Sequence, residues 1–436
     1  MLSNQTNIKW IIVKIQKIKI ENFKCFSELE VELNQEFNVL IGDNATGKTS
    51  FLDAVSYSLG TYFIGVKKVS GDSNIELRSL KHCEKRTTVT DTHINYKLPF
   101  KVTLDHTIGK NVFSWFRDTD KTDGGSTSYK DANKLIDFSK DLCKNIFDEN
   151  DTTTLPLIAY YGTERLFNER AQRIRKASTR LDGYVAALDP RSFSERFVNW
   201  FADYEDSILK LGRDPELYNA FCEAIITMVP DWEKITYSHQ HKTLMAKSHD
   251  SKWETFNMLS SGYRNIIRLA GDIAYRAIKL NPHLKSKAVV ATEGVVLIDE
   301  LDMHLHPDWQ KTIVSSLKKA FPSIQFIVTS HSAFIIQSVK GSEVIKLSNF
   351  GIETVSDNTH LKGLEDIIED EMEVKNARRS EQYQEYMKLA EEYFSLLEEG
   401  SDTDISTLRK RLDDIEYQFN DDPALVALLQ AERKSS

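Results

Sequence analysis

Cysteine is scarce in this chain. Cys25, Cys83, Cys143 and Cys222 are its four, far apart and with no C-x-x-C pair among them. That spacing excludes a disulfide framework and a thiolate zinc site, and it fits a reducing cytoplasm. Long apolar runs are missing too. No stretch approaches the 18 uncharged apolar residues of a membrane-spanning helix, so no membrane partner is expected. Residues 10–13 are apolar but lack the layout of a signal peptide. Positive charge is in deficit, 56 Lys and Arg against 65 Asp and Glu for a net charge of −9, which argues against a general polyanion binder. One basic cluster, Arg165, Arg170, Arg173, Arg175, Lys176 and Arg180, remains a candidate nucleic acid contact, with a solvated helix face as the plainer reading. Internal repeats and low-complexity tracts are absent.

What is present is ordinary globular composition, 41% hydrophobic and 28% charged over 436 residues, enough for two or three packed units. Residues 11–41 alternate apolar and polar twice, with a break at Glu21-Asn22, and read as strands with short turns. Residues 93–117 read as a hairpin turning at 108–111, and 118–129 as a polar loop. A helical stretch at 131–147 leads to a buried-type strand at 155–161. Residues 164–229 are helical in pattern, with Trp200, Phe201 and Tyr204 as anchors, and 234–257 return to strand alternation. A helix from 259 to 280, a strand at 295–300, a helix at 308–320 and a strand at 325–329 follow. Short apolar strands alternating with helices predict an α/β fold with a largely parallel sheet, whose ligands bind at the carboxyl ends of the strands. The segmentation expected is an N-terminal lobe (1–130), a helical insertion (131–233), a second lobe (234–358) and a helical C-terminal region (359–436).

The chemistry begins at residues 42–49. Gly42, Asp43, Asn44, Ala45, Thr46, Gly47, Lys48 and Thr49 follow an apolar run and precede a helix-like run from Ser50, the full context of a phosphate-binding loop. Glycines let backbone N–H groups close on phosphate oxygens, and the helix N-terminus adds partial positive charge. Lys48 would reach the β- and γ-phosphates of ATP, and the Thr49 hydroxyl would coordinate Mg²⁺. Asp299 and Glu300 end a second apolar strand. An Asp there holds Mg²⁺, and the neighbouring acid polarises the attacking water. His331, beyond the strand at 325–329, would sense the γ-phosphate. Ser260, Ser261 and Gly262 open a helix and leave an anion-binding N-terminus exposed, although a serine N-cap accounts for the same residues. His304 and His306 lack the further ligands a metal site needs.

Together these residues resemble the ABC-type ATPase head, the class of the SMC, Rad50 and RecF proteins. Residues 42–49 match its Walker A loop, 295–300 its Walker B strand, 259–263 its signature and His331 its switch histidine. Asn44 and Ser50 fall within the nucleotide-contacting loop, and residues 20–26 resemble the opening strand motif, with Lys24 where arginine is usual. The resemblance implies a mixed or parallel sheet around the phosphate-loop helix, with a helical lobe and a helical C-terminal extension. It also implies a head-to-head dimer, in which the signature of one copy completes the site of the other. Departures are Ser261 and Tyr263 in place of Gly and Gln, and His306 where the D-loop aspartate falls. No clear glutamine loop exists, 160–165 or Gln172 being the candidates. Only about 210 residues separate Thr49 from Leu259, so this is a head without long coiled-coil arms.

Residues 299–307 (D-E-x-D-x-H-L-H-P), with 155–165 and 422–429, are similar to a narrower branch, the stand-alone ATPases of Septu and retron defence systems. That likeness implies an ATPase subunit that scaffolds and restrains an HNH nuclease partner, joined in retron forms by a reverse transcriptase and its RNA–DNA product. Two other readings compete. A repair clamp of the RecF or Rad50 kind would use the basic cluster. An OLD-like ATPase–nuclease would need metal-binding acids, but Asp402-Thr403-Asp404 sits at a Gly-Ser turn and reads as a helix cap. No nuclease activity of the chain's own is expected. Tyr383, Tyr386, Met387, Ala390, Tyr393 and Phe394 form an apolar stripe at helical spacing, a docking face for a partner or another copy.

Overall fold

A computed structural model of the chain describes residues 13–71, 75, 77, 78, 84–90, 93–108, 111–119, 132–148, 151–166, 179–190, 196–374 and 388. Residues 1–367 form one compact unit and 368–436 another. The elements of the first run β1 (Val13–Phe23), β2 (Phe26–Glu32), β3 (Phe37–Ile41), α1 (Lys48–Ser70), β4 (Thr87–Thr90), β5 (His93–Tyr96), β6 (Phe100–Ile108), β7 (Asn111–Thr119), α2 (Asn133–Leu142) and β8 (Leu157–Tyr161). Next come α3 (Arg196–Leu211), α4 (Glu216–Met228), β9 (Trp232–Ser238), β10 (Thr243–Ser248), β11 (Trp253–Thr255) and α5 (Ser261–Leu280). The series continues with α6 (Ala288–Ala291), β12 (Gly294–Ile298), α7 (Pro307–Ala320), β13 (Ile324–Thr329), α8 (Ala333–Gln337), β14 (Val344–Ser348) and β15 (Gly351–Glu353).

A six-stranded sheet ordered β15-β14-β3-β13-β12-β8 carries the site. Its β14, β3, β13, β12 and β8 are parallel, and only β15 runs against its neighbour. β3, β8, β12 and β13 are buried along their whole length, which is why each reads as a largely apolar run rather than an alternation, with Asn38 and Gln325 as buried polar exceptions. The antiparallel sheet β2-β1-β6-β7 keeps the alternation seen in residues 11–33, with Ile15, Ile18 and Ile20 facing the core. The turn between β1 and β2 falls at Lys24-Cys25, later than the Glu21-Asn22 break suggests. Asn22 and Lys24 both take positive φ there, at 54° and 47°.

α1 touches strands of both sheets, β1 and β6 of one and β12 and β13 of the other, and packs along α2. A helix enclosed on all sides must be apolar all round, and most of its residues from Phe51 to Val66 are buried. Gln325 cross-links the two sheets: its amide donates to Ile15 O (2.8 Å) and Asn34 O (2.7 Å) and accepts the Ile15 N–H (2.7 Å). On the far edge, Asp272 and Arg276 of α5 pair at 2.6 Å, and the Tyr161 hydroxyl donates to Asp272 at 2.8 Å. Arg276 also donates to the Gly183 and Val185 carbonyls.

Several sequence expectations need adjusting. Of the stretch 164–229, the described residues form short 3₁₀ turns at Thr163–Leu166 and Arg180–Tyr184 and then α3 and α4; 167–178 and 191–195 lie outside the described residues. Asp118 and Thr119 belong to β7, and the chain at 299–300 is a turn beyond β12 rather than its last residues. Phe201 and Tyr204 are buried as expected, with Trp200 packed against Tyr204, Phe221 and Tyr275. The apolar stripe of 383–394, Asp402, Asp404, Gln172 and most of the basic cluster lie outside the described residues. Arg180, which is described, spends its guanidinium on Asp151 and on the Leu280 and Thr153 carbonyls.

Candidate functional site

β3 ends at Ile41 and the chain turns through residues 42–47 into α1. Two glycines make that turn feasible. Gly42 has φ 139°, and a Cβ there would stand 2.2 Å from the Leu347 carbonyl of the adjacent strand β14. Gly47 has φ 104°, and a Cβ would meet the Cys25 sulfur and the Phe26 ring at 2.6 Å. Ala45 shares the left-handed region at φ 68°. Gly47 occupies the cap position of α1 and offers no side chain to its first turn, so the N–H groups that open the helix keep their donor capacity. The Thr46 hydroxyl donates to Asp43 O at 2.9 Å and braces the loop.

The Lys48 ammonium lies under this loop and donates to Gly42 O (2.7 Å) and Asp43 O (2.8 Å). Burial lowers its pKa, partly countered by the carboxylate of Asp299 and then by Asp43, Glu300 and Asp302. Thr49, on the first turn of α1, donates its hydroxyl to Asp299 Oδ2 at 2.9 Å. Asp299 is 3% exposed, and its backbone N–H donates to Tyr161 O at 2.8 Å, so it hangs from the end of β8 as well as β12. Glu300 follows in a left-handed conformation, φ 50°. His331 is exposed and its backbone N–H donates to Asp302 Oδ1 at 3.3 Å.

These residues share one open cleft of about 670 Å³, lined by Asn44, Ala45, Gly47, Lys48, Thr49, Ser50, Asp299, Glu300 and His331. Three separate stretches of sequence thus meet at the carboxyl edge of the sheet, because β3 and β12 flank β13 in the strand order. Gly42 and Thr46 shape the loop without lining the cleft.

Ser260, Ser261 and Gly262 do not line it. They open α5 elsewhere, where exposed Ser260 accepts the Tyr263 N–H at 3.4 Å as an N-cap. Gly262 is pressed against the segment beyond the acids: a Cβ would lie 2.6 Å from His304 O. Asn265 donates to Met303 O at 3.1 Å on the same side. Tyr263, where glutamine is usual, points into an aromatic clasp between Trp309 (ring centres 4.4 Å apart) and Trp232 (6.3 Å), with its hydroxyl on Asp231 at 2.8 Å. Burial, then Asp231, pushes that hydroxyl up to about 12.

Sequence reasoning missed Thr329, Cys25, Lys85 and Thr87, which also line the cleft, and gave Lys24 no role in it. Lys24 pairs with Asp53 of α1, which in turn takes Arg78 at 3.1 Å. Thr329 carried a readable signal, being the polar residue that ends a largely apolar strand; Lys85 and Thr87 carried none. Of the candidates for a glutamine loop, Tyr160 and Tyr161 are buried in β8 and do not line the cleft.

Known proteins bear on this arrangement. The family described as "AAA domain, putative AbiEii toxin, Type IV TA system" matches residues 37–337. The chain is 25% identical over 394 residues to the retron Vc95 probable ATPase of Vibrio cholerae serotype O1 biovar El Tor, covering 77% of this chain and 74% of that protein. It is 27% identical over 344 residues to the Septu protein PtuA of Bacillus mycoides (strain KBAB4), across 76% of this chain and 40% of that protein. Among solved structures, an SMC head bound to the C-terminal winged-helix domain of ScpA aligns with a TM-score of 0.49 at 15% identity, over 80% of this chain and all of that one. Among the described residues no helix is long and apolar enough to cross a membrane. With the match running from β3 through α8, the chain belongs to this AAA-domain family, and its head is of the ABC ATPase type, similar to retron ATPases and Septu proteins.

Proposed function

We propose that this chain is the ATPase subunit of a bacterial anti-phage defence complex of the retron or Septu kind. It binds and hydrolyses ATP in a head-to-head dimer, or a higher oligomer built from it. That cycle positions and restrains an HNH nuclease subunit, joined in retron forms by a reverse transcriptase and its RNA–DNA product. The carrying observation is the division of the motifs: Asn44, Ala45, residues 47–50, Asp299, Glu300 and His331 share one cleft, whereas Ser260, Ser261 and Gly262 lie outside it. Such a cleft is half a site, and a second copy offering its signature would supply the rest.

The donor set fits Mg²⁺, a hard cation that prefers oxygen, since a hydroxyl and a carboxylate lie 2.9 Å apart at Thr49 and Asp299. When bound, the ion neutralises charge on the β- and γ-phosphate oxygens. Lys48 and the amides of the loop bind the phosphates. Glu300 accepts a proton from the attacking water, and His331 orients that water. Ser260, Ser261 and Gly262 contact the nucleotide held by the partner copy. The chain itself cuts no nucleic acid in this reading, and Mn²⁺-dependent cleavage by the purified chain would overturn that part. The relatives named for retrons and Septu support the defence context, and the region 359–436 is the proposed docking segment.

The test is Glu300→Gln. Loss of the general base should lower turnover on the order of 10²–10⁴-fold while ATP binding persists and an ATP-bound dimer accumulates, read by mass photometry with and without ATP. Unchanged turnover sinks the catalytic assignment. A monomer at every ATP concentration sinks the dimer.

A further inference from the structure

The strand between the phosphate loop and the acids ends in a residue to which no role has been given. β13 pairs with β3 on one side and β12 on the other, in parallel register that sets Ile298 beside Val328 and Leu40 beside Thr329. Thr329 therefore stands at the carboxyl edge, 1% exposed, between the two strands that deliver the site. Its hydroxyl donates to Asp299 Oδ1 at 2.7 Å and accepts the Glu300 N–H at 2.7 Å. The direction is fixed by chemistry, because an amide N–H can only donate and an ionised carboxylate can only accept. Its backbone carbonyl also accepts the Leu301 N–H at 2.9 Å.

One side chain thus holds both acids, and Asp299 is gripped from two sides: Oδ2 by Thr49 at 2.9 Å, Oδ1 by Thr329. Glu300 sits at φ 50°, a conformation a non-glycine residue keeps only when its surroundings enforce it. The hydrogen bond from its N–H to Thr329 is one such constraint.

We infer that Thr329 is a positioning residue for the ATPase site, orienting Asp299 toward the metal and fixing the backbone that aims Glu300. The inference rests on the nucleotide reading above. It makes a split prediction. Through Asp299 it acts on magnesium, and through Glu300 it acts on the proton-transfer step, so both should fail together when the hydroxyl alone is removed.

The experiment compares wild type with Thr329→Val, which keeps the shape and deletes the hydroxyl, and Thr329→Ser, which keeps the hydroxyl. Magnesium titrations of the binding of a fluorescent ATP analogue to the full chain give the first readout, and turnover at saturating magnesium the second. The Val variant should need on the order of tenfold more magnesium, as expected when a partner that orients a metal ligand is lost. It should also turn over more slowly even at saturation, and Ser should restore both. Should Val prove insoluble, Thr329→Cys, with a weak donor in similar volume, takes its place and should show the same split. A Val or Cys variant with wild-type magnesium dependence, or a Ser variant as impaired as Val, overturns the assignment. Wild type that fails to bind the analogue removes the nucleotide reading itself, and with it this role. Normal wild-type binding beside an unaffected variant removes Thr329 alone.

Discussion

Two helix N-termini in this chain carry small residues suited to anions, and they are built in opposite ways. α1 begins at a glycine in the left-handed region with no side chain to cap it, and its first turn opens into a cleft lined by Lys48 and Thr49. α5 begins at Ser260, whose hydroxyl already takes the Tyr263 N–H, and its Gly262 is pressed against the His304 carbonyl. Motif letters alone make both ends look like phosphate sites. The capping chemistry separates them: a helix end with a glycine cap leaves its donors to a ligand, whereas one with a serine cap is part-satisfied. Under the proposed function, α1 is the end that would bind the nucleotide and α5 the end that would be presented to a second copy.

The largest expected effect breaks the α1 side. Lys48→Ala removes the buried ammonium and should weaken ATP binding roughly 10- to 100-fold, the worth of a charge-assisted hydrogen bond, measured by calorimetry. Binding at wild-type strength would mean the loop is not a nucleotide site. Gly47→Ala should come next: it forces a Cβ into Cys25 and Phe26 at unfavourable φ, and should cost about 1–3 kcal/mol of stability, seen in urea unfolding. Gly262→Ala tests the α5 side by pushing on a backbone carbonyl. It should cost about 1–3 kcal/mol and disturb the segment 301–306, so that turnover falls more than nucleotide affinity does. Ser260→Ala, the smallest change, should cost about 1 kcal/mol through the lost cap, a shift of a few degrees in Tm. No shift at all would show that the 3.4 Å cap contributes nothing.

Titration sharpens the same contrast. Burial depresses the Lys48 pKa, so its ammonium is lost at a lower pH than an ordinary lysine's as pH rises. Nucleotide affinity should therefore begin to fall on the alkaline side below the usual lysine range. Lys48→Arg, which stays charged there, should flatten the fall. Affinity independent of pH in both proteins would place the phosphate-binding charge elsewhere.

The sheet was legible in the sequence wherever burial dictated residue type. β3, β8, β12 and β13 are apolar runs because both faces are covered, and the acids and His331 stand out as the polar residues just beyond them. The loop 42–47 was legible because positions 42 and 47 combine φ values of 139° and 104° with close approach to β14 and β2, which only glycine tolerates. What could not be read is what distant segments bring in. Lys85 and Thr87 reach the cleft through a short β-bridge between Phe23 and Lys85, which leaves no local pattern. Tyr263 looked like a departure from a nucleotide-contacting glutamine. Its use, an anchor between Trp232 and Trp309, depends on residues about 30 and 46 positions away and on the fold that gathers them.

That clasp makes the molecule its own optical instrument. Two of the six tryptophans flank the first turn of α5, and Trp309 also rides on the helix that follows Asp299 and Glu300. Any event that shifts the start of α5 against α7 alters the surroundings of both indoles at once. Intrinsic emission would record it in real time, without a label, and substituting Trp309 by Phe would tell which of the two rings is speaking.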